Sequence, residues 1–225
     1  RVFEGFTGEP LAVESRPGGQ RLAVGTSDGK VFIYNPGNAQ LLQTLSIGEP
    51  VQGLAYSPDQ QKLAVVDEKQ LLRIFGPAIP PMQPQPGEEL FPHQETKLTQ
   101  QVTRLVFARD NRSLFATQTD GVVSEWAYAS PVQLRQFNHG GPVYGAILTR
   151  DGKTLISCSG DQTIRIWDTT NGQQRSQLSG HIGAVHAIAL SPDEPLIVSS
   201  GADNPIRLWD VAGGRQLKVL GNMSA

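Results

Sequence analysis

Cysteine is nearly absent from this chain: one residue, Cys158, in 225. A single thiol cannot build an internal disulfide framework, so packing and hydrogen bonds must hold the fold. Charge is scarce as well. Charged residues make up 18% of the chain, and 19 Lys and Arg against 21 Asp and Glu leave a net charge of −2. No broad cationic surface is available for a phosphate backbone, which argues against nucleic acid as a partner. No apolar run approaches the roughly 18 residues of a membrane span, and no charged-then-apolar start marks a signal peptide, so no membrane partner is expected. Four His and the lone Cys offer no converging ligand set, and neither metal nor cofactor is expected. Residue 1 is Arg, which leaves the compartment open, with cytoplasm slightly favoured.

Turn formers are what the chain has in excess, with 24 Gly and 16 Pro. They punctuate a repeat. Leu155-Ile-Ser-Cys-Ser-Gly-Asp-Gln-Thr-Ile-Arg-Ile-Trp-Asp168 recurs as Ile197-Val-Ser-Ser-Gly-Ala-Asp-Asn-Pro-Ile-Arg-Leu-Trp-Asp210, and degenerate copies run over Leu22–Asn35, Leu63–Gly76 and Leu114–Ala127. An aromatic anchor closes each copy, at Tyr34, Phe75, Trp126, Trp167 and Trp209, with spacings of 41, 51, 41 and 42. Such a period overrides any element-by-element reading.

Within a copy the order is a short apolar strand, a tight turn, a second apolar strand, an Asp-centred turn, an alternating strand ending on the aromatic, and a weaker polar strand. Ile164 and Ile166 alternating with Thr163 and Arg165 carry the period-two mark of a strand. Four antiparallel strands per copy make a blade whose faces are buried against its neighbours, so the fold class is all-β, a β-propeller of four-stranded blades with no helix required. The blades are expected at about 10–46, 51–96, 102–138, 143–179 and 185–221, with a Pro-rich loop over 76–87. Residues 1–6 read as an orphan outer strand, because Gln216–Leu220 already supplies that strand to the last copy. Five blades and an orphan strand point to a piece of a larger ring, for which seven blades is the suggested number, with open edges able to self-associate.

The repeat resembles the WD-repeat (WD40) family, most closely in the last two copies, where Gly180-His181 and both Trp-Asp pairs stand intact. In that family a His, a second-strand Ser or Thr, the turn Asp and the third-strand Trp lock a blade by hydrogen bonds. Carried over, these are His139, Ser157, Asp161 and Trp167, and then His181, Ser199, Asp203 and Trp209. The sets are partial upstream, with Asp120 and Trp126 in the third copy and Asp28 and Tyr34 in the first. The second has Lys69 and Phe75 at the Asp and Trp positions, so the early blades are expected to rely on packing alone.

Ser157, His139 and Asp161 are also the residue types of a hydrolase triad. The same trio recurring at Ser199, His181 and Asp203, without a Gly-x-Ser-x-Gly elbow, argues for structure over catalysis. His181 and His186 lie five apart in an extended segment and tend to opposite faces, and Cys158 reads as a small core filler. The sequons at Asn111 and Asn222 carry almost no weight. Pro77-Ala-Ile-Pro80 and Pro81-Met-Gln-Pro84 have the spacing that aromatic grooves recognise, yet read better as a tolerated insertion.

The resemblance further implies partner contacts through loops of the narrow face. By position these include Gln52, Glu68, Gln101, Thr103, Thr119, Tyr144 and His186. Tyr144, the one aromatic in a small or polar set, is with His186 the best centre, since Tyr is favoured at hot spots. The function read from the sequence is therefore a non-catalytic protein-interaction scaffold with an unidentified protein partner. A second reading makes the segment a module of a longer bacterial-type multidomain protein, fused for example to a kinase or c-type cytochrome. A third, a channel-site propeller enzyme, would draw on Glu14 and His186, which belong to different copies.

Overall fold

A computed structural model describes residues 2–77, 91–127, 132–191 and 196–222. Twenty strands and, among the described residues, no helix form five antiparallel four-stranded sheets, the blades of a β-propeller. Blade 1 holds β1 (Pro10–Ser15), β2 (Leu22–Thr26), β3 (Lys30–Asn35) and β4 (Gln40–Ser46). Blade 2 holds β5 (Val51–Tyr56), β6 (Leu63–Asp67), β7 (Leu71–Gly76) and β8 (Phe91–Lys97). Blade 3 holds β9 (Val102–Phe107), β10 (Ser113–Gln118), β11 (Val122–Ala127) and β12 (Val132–Asn138). Blade 4 comprises β13 (Val143–Leu148), β14 (Thr154–Ser159), β15 (Ile164–Asp168) and β16 (Gln174–Leu178). Blade 5 comprises β17 (Val185–Leu190), β18 (Leu196–Gly201), β19 (Pro205–Asp210) and β20 (Arg215–Asn222). Each sheet is a plain meander in chain order. The chain divides into two compact units, residues 1–113 with 128–131 and residues 114–127 with 132–225.

Blades pack by the same rule within each unit. In the first, Ala23, Val31, Ile33 and Leu45 of blade 1 form one core with Val51, Leu54, Leu63, Val65 and Phe75 of blade 2. In the second, Ile156, Cys158, Ile164, Ile166 and Leu178 of blade 4 meet Val185, Ile188, Ile197 and Trp209 of blade 5. These are matching repeat positions, so in both pairs the forward face of the earlier blade receives the rear face, the one bearing the anchor aromatic, of the later. Gly25 is needed for that approach: a Cβ there would stand 2.4 Å from Cγ1 of Val51.

The outer two strands of every blade slip register at the anchor aromatic, between residues 33 and 34, 74 and 75, 125 and 126, 166 and 167, and 208 and 209. Such bulges bend the strand and re-aim a side chain. Residues 2–6, expected as a strand, lie in none. Phe3 and Phe6 instead pack on Val24, Phe32 and Tyr34 of blade 1, edge-on to Tyr34 at centroid distances of 5.3 and 5.9 Å. Of the expected Pro-rich loop, Gly76 ends β7 and Pro77 follows it, while 78–87 lie outside the described residues.

Candidate functional site

The four-residue sets come together in blades 4 and 5. Trp167 Nε1 donates to Ser157 Oγ at 2.8 Å, Ser157 Oγ lies 2.6 Å from His139 Nε2, and His139 Nδ1 lies 3.3 Å from Asp161 Oδ2. In blade 5 the corresponding distances through Trp209, Ser199, His181 and Asp203 are 2.8, 2.7 and 2.6 Å. Direction follows from donor inventory: an indole N–H can only donate, so the serine oxygen accepts it and sends its own proton to the imidazole. That leaves Nδ1–H to donate to the carboxylate, which fixes one neutral tautomer. Asp161 also accepts from Gly140 N at 2.9 Å and from Thr163 N at 3.0 Å, and Asp203 from Ile182 N at 3.1 Å.

An arginine on the third strand completes each set. Arg165 Nη2 reaches Asp161, and Arg207 Nη2 reaches Asp203, both at 3.1 Å. Burial raises the cost of charging either carboxyl, yet the donors around it prevail and hold both at about 2. His139 moves the opposite way: burial pushes it down to about 4, against the pull of Asp161. Because the unfolded chain takes up this proton first, the contribution of neutral His139 is complete above about pH 6.5 and is lost as pH falls toward 4. Asp161, depressed in the folded state, adds a further loss as pH falls from 3.8 toward 2. Urea midpoints should therefore decline on acidification, with about 3 kcal/mol traceable to His139. His139→Gln should flatten the slope between pH 6.5 and 4; an unchanged slope would assign the acid sensitivity elsewhere.

These trios do not have the properties of a catalytic nucleophile and base. Ser157 and Ser199 are buried, and each hydroxyl is committed to both an indole and an imidazole, leaving no approach for a substrate carbonyl. Among the described residues no three His, Cys, Asp or Glu are gathered to hold a metal ion.

The early blades are not held by packing alone. In blade 1, Asp28 accepts from Thr26 Oγ1 at 2.5 Å, from Thr7 Oγ1 and from Lys30 Nζ, and these donors hold its carboxyl well below the usual range. Tyr34 donates its hydroxyl to Glu4 O at 2.8 Å. In blade 2, Arg73, at the repeat position of Arg165, bonds Asp67 and Glu95, each at 2.8 Å. The acidic partner has moved from the turn, where Lys69 stands, to the end of β6. In blade 3, Trp126 Nε1 donates to Ser124 Oγ at 2.8 Å, while Asp120 accepts Val122 N at 3.1 Å. Leu98, at the histidine position, is buried.

Of the candidate contact residues, Gln52, Thr103, Tyr144 and His186 lie on inner strands, and Glu68, Gln101 and Thr119 lie outside the strands. The β1–β2, β5–β6, β13–β14 and β17–β18 ladders each skip one inner-strand residue: Leu11, Gln52, Tyr144 and His186. A bulge turns that side chain out of the ladder. Tyr144 and His186 come together, ring centroids 5.0 Å apart and planes tilted by 53°. His186 is exposed and Tyr144 half-buried. Gly160 leaves space beside this pair, since a Cβ there would stand 3.3 Å from Pro142 and 3.4 Å from the Tyr144 ring. Gln52 instead accepts from Gln70 Nε2 at 3.0 Å, and Gln70 Oε1 accepts Val102 N at 2.7 Å, so Gln52 is tied into the frame. Glu68 and Gln101 are exposed, Thr103 and Thr119 half-buried. Glu14 is pushed up by burial, partly offset by Arg104.

The family model described as WD domain, G-beta repeat matches residues 131–168 and 172–210. WD repeat-containing protein 1 of Rattus norvegicus is 28% identical over 167 residues, covering 72% of this chain and 26% of that protein. The protein of the same name from Gallus gallus is 28% identical over 165 residues, 71% of this chain and 26% of its own length. The target of rapamycin complex subunit wat1 of Schizosaccharomyces pombe is 24% identical over 183 residues, 75% of this chain and 53% of that protein. The chain thus spans about a quarter of the first two relatives and about half of the third.

Proposed function

We infer that this WD-repeat chain is a non-catalytic protein-interaction module whose contact surface is centred on Tyr144 and His186. The observation that carries the reading is the bulge that turns each of these residues out of its ladder and leaves their rings side by side. A rigid aromatic on a fixed strand offers contact area at low entropic cost, which is what hot spots are made of. Small neighbours at Pro142, Gly160, Ala184 and Ala202 give a partner side chain access to both rings. Thr119, in the same compact unit as Tyr144 and His186, would contribute beside them. A complex subunit among the relatives adds support for a protein partner.

Immobilised wild-type chain and the Tyr144→Ala/His186→Ala variant, presented to extract from the source cell, should differ in capture of one specific protein by about tenfold or more. A Glu68→Ala control should lose far less. Equal capture by all three, with unchanged thermal unfolding, would remove Tyr144 and His186 from the contact surface.

A further inference from the structure

The Tyr56 hydroxyl is enclosed and, among the described residues, has no hydrogen-bond partner. A buried tyrosine usually finds one. Its ring, 7% exposed, is held in the core shared by blades 1 and 2, so the hydroxyl cannot swing out to water. What surrounds it is charge. In their ladders Tyr56 pairs with Leu63 and Glu14 with Ala23, and both partners belong to that same core. Directly paired residues share a sheet face, so Glu14 on blade 1 faces toward Tyr56 on blade 2. Arg16 lies two residues beyond Glu14 and keeps its face, and Arg16 N donates to Arg21 O at 2.9 Å across the turn. Burial pushes the Tyr56 hydroxyl up to about 12, while Arg21 and Arg16 pull it down and Glu14 adds to the rise, so all three charges act on it. Arg104, exposed on β9, acts in turn on Glu14.

The neighbouring turns have the same sign. A Cβ on Gly18 would stand 3.7 Å from Gln60 Nε2, and Asp59 N donates to Asn111 Oδ1 at 3.3 Å, so the β1–β2, β5–β6 and β9–β10 turns adjoin. They carry Arg16, Arg21, Lys62, Arg109 and Arg112 against Asp59 and Asp110, in a chain whose net charge is −2. All of these residues belong to the first compact unit.

We propose that this place is an anion site, which takes a carboxylate or phosphate group on Arg16, Arg21 and Arg104 with the Tyr56 hydroxyl as the neutral donor. Guanidinium forks match both kinds of oxyanion, and Tyr56 brings a donor whose position the core has fixed in advance. Arg16, Arg21 and Glu14 are half-buried beside it. An incoming anion draws the two guanidiniums, on their flexible stems, onto its oxygens and repels the Glu14 carboxylate, and that displacement uncovers the hydroxyl.

The test is thermal unfolding of the chain titrated with inorganic phosphate and, separately, with succinate, against sodium chloride of equal ionic strength. The midpoint should rise saturably with one or both beyond the chloride reference, and the preferred anion tells phosphate from carboxylate. Arg21→Gln and, at an exposed position, Arg104→Gln should each reduce that rise, whereas Lys218→Gln should leave it unchanged, with circular dichroism as the check on folding. Tyr56→Phe should weaken the apparent affinity about tenfold, yet leave the anion-free midpoint unchanged or higher, because it removes an unsatisfied hydroxyl. A lower anion-free midpoint for Tyr56→Phe would mean that the hydroxyl is already bonded within the chain, and would overturn the proposal. So would no rise beyond chloride, or an equal rise in wild type, Arg104→Gln and Tyr56→Phe, the mark of an adventitious ion only. Tyr144→Ala should leave the anion response intact, which separates this site from the partner surface proposed above.

Discussion

Asp203→Ala should destabilise the chain by about 3–5 kcal/mol, read as a drop in the urea midpoint of tryptophan fluorescence. The Asp203 side chain is 2% exposed and takes His181 Nδ1–H, Ile182 N–H and the Arg207 guanidinium on its two oxygens. Truncation leaves a sheltered cation and two oriented donors facing a void, and an uncompensated buried charge costs far more than an unmade surface bond. Asp120→Ala is the matched control. It occupies the same turn position in blade 3, is exposed, and accepts Val122 N, so its loss should stay near 1 kcal/mol or below. Similar losses at the two sites would mean that the blade 5 network adds nothing beyond an ordinary turn.

That contrast marks where residue patterns convey structure and where they do not. The anchor aromatics Tyr34, Phe75, Trp126, Trp167 and Trp209 could be placed from the repeat, because each copy closes its third strand on one large ring, and the one longer interval, 51, contains the Pro-rich stretch. The His–Ser–Asp–Trp sets were legible where all four residues occur in register. The arginines were not. A charged residue alternating with Ile164 and Ile166 reads as a solvent-facing strand position, yet Arg165 and Arg207 lie back along the sheet to reach the turn carboxylate. Blade 2 shows why matching by position fails: a guanidinium has reach, so Asp67 substitutes for an acid two residues later in the repeat. Blade 3 makes a similar exchange across a ladder. The hydroxyl that receives the indole sits at Ser124, the repeat position of Arg165, which pairs with Ser157 in blade 4. The bulges that turn Tyr144 and His186 outward are also silent in composition, since any residue can occupy the skipped position. Fold could thus be read from periodicity, whereas the polar detail depends on three-dimensional reach between neighbouring strands.

Trp209→Ala is the second large effect expected, about 3–5 kcal/mol from lost burial and the cavity left behind, with the broken serine bond on top. Trp209 is 1% exposed and lies in the core shared by blades 4 and 5. A Cβ on Gly180 would stand 3.1 Å from its ring, so little room exists for neighbours to collapse inward. Phe75 fills the same repeat position in blade 2 and is 4% exposed, but a phenyl ring has no N–H to place. Phe75→Ala should therefore cost less than Trp209→Ala, by roughly the 0.5–1.5 kcal/mol of a net hydrogen bond beyond the difference in ring size. Trp209→Phe separates the terms, keeping most of the apolar contact while removing the donor to Ser199. Combined with Ser199→Ala in a double-mutant cycle, it should show a coupling of about 1 kcal/mol, because each single change already breaks the bond that the other would break. A coupling of zero would reduce the network to packing, and Trp209 would then differ from Phe75 only in size.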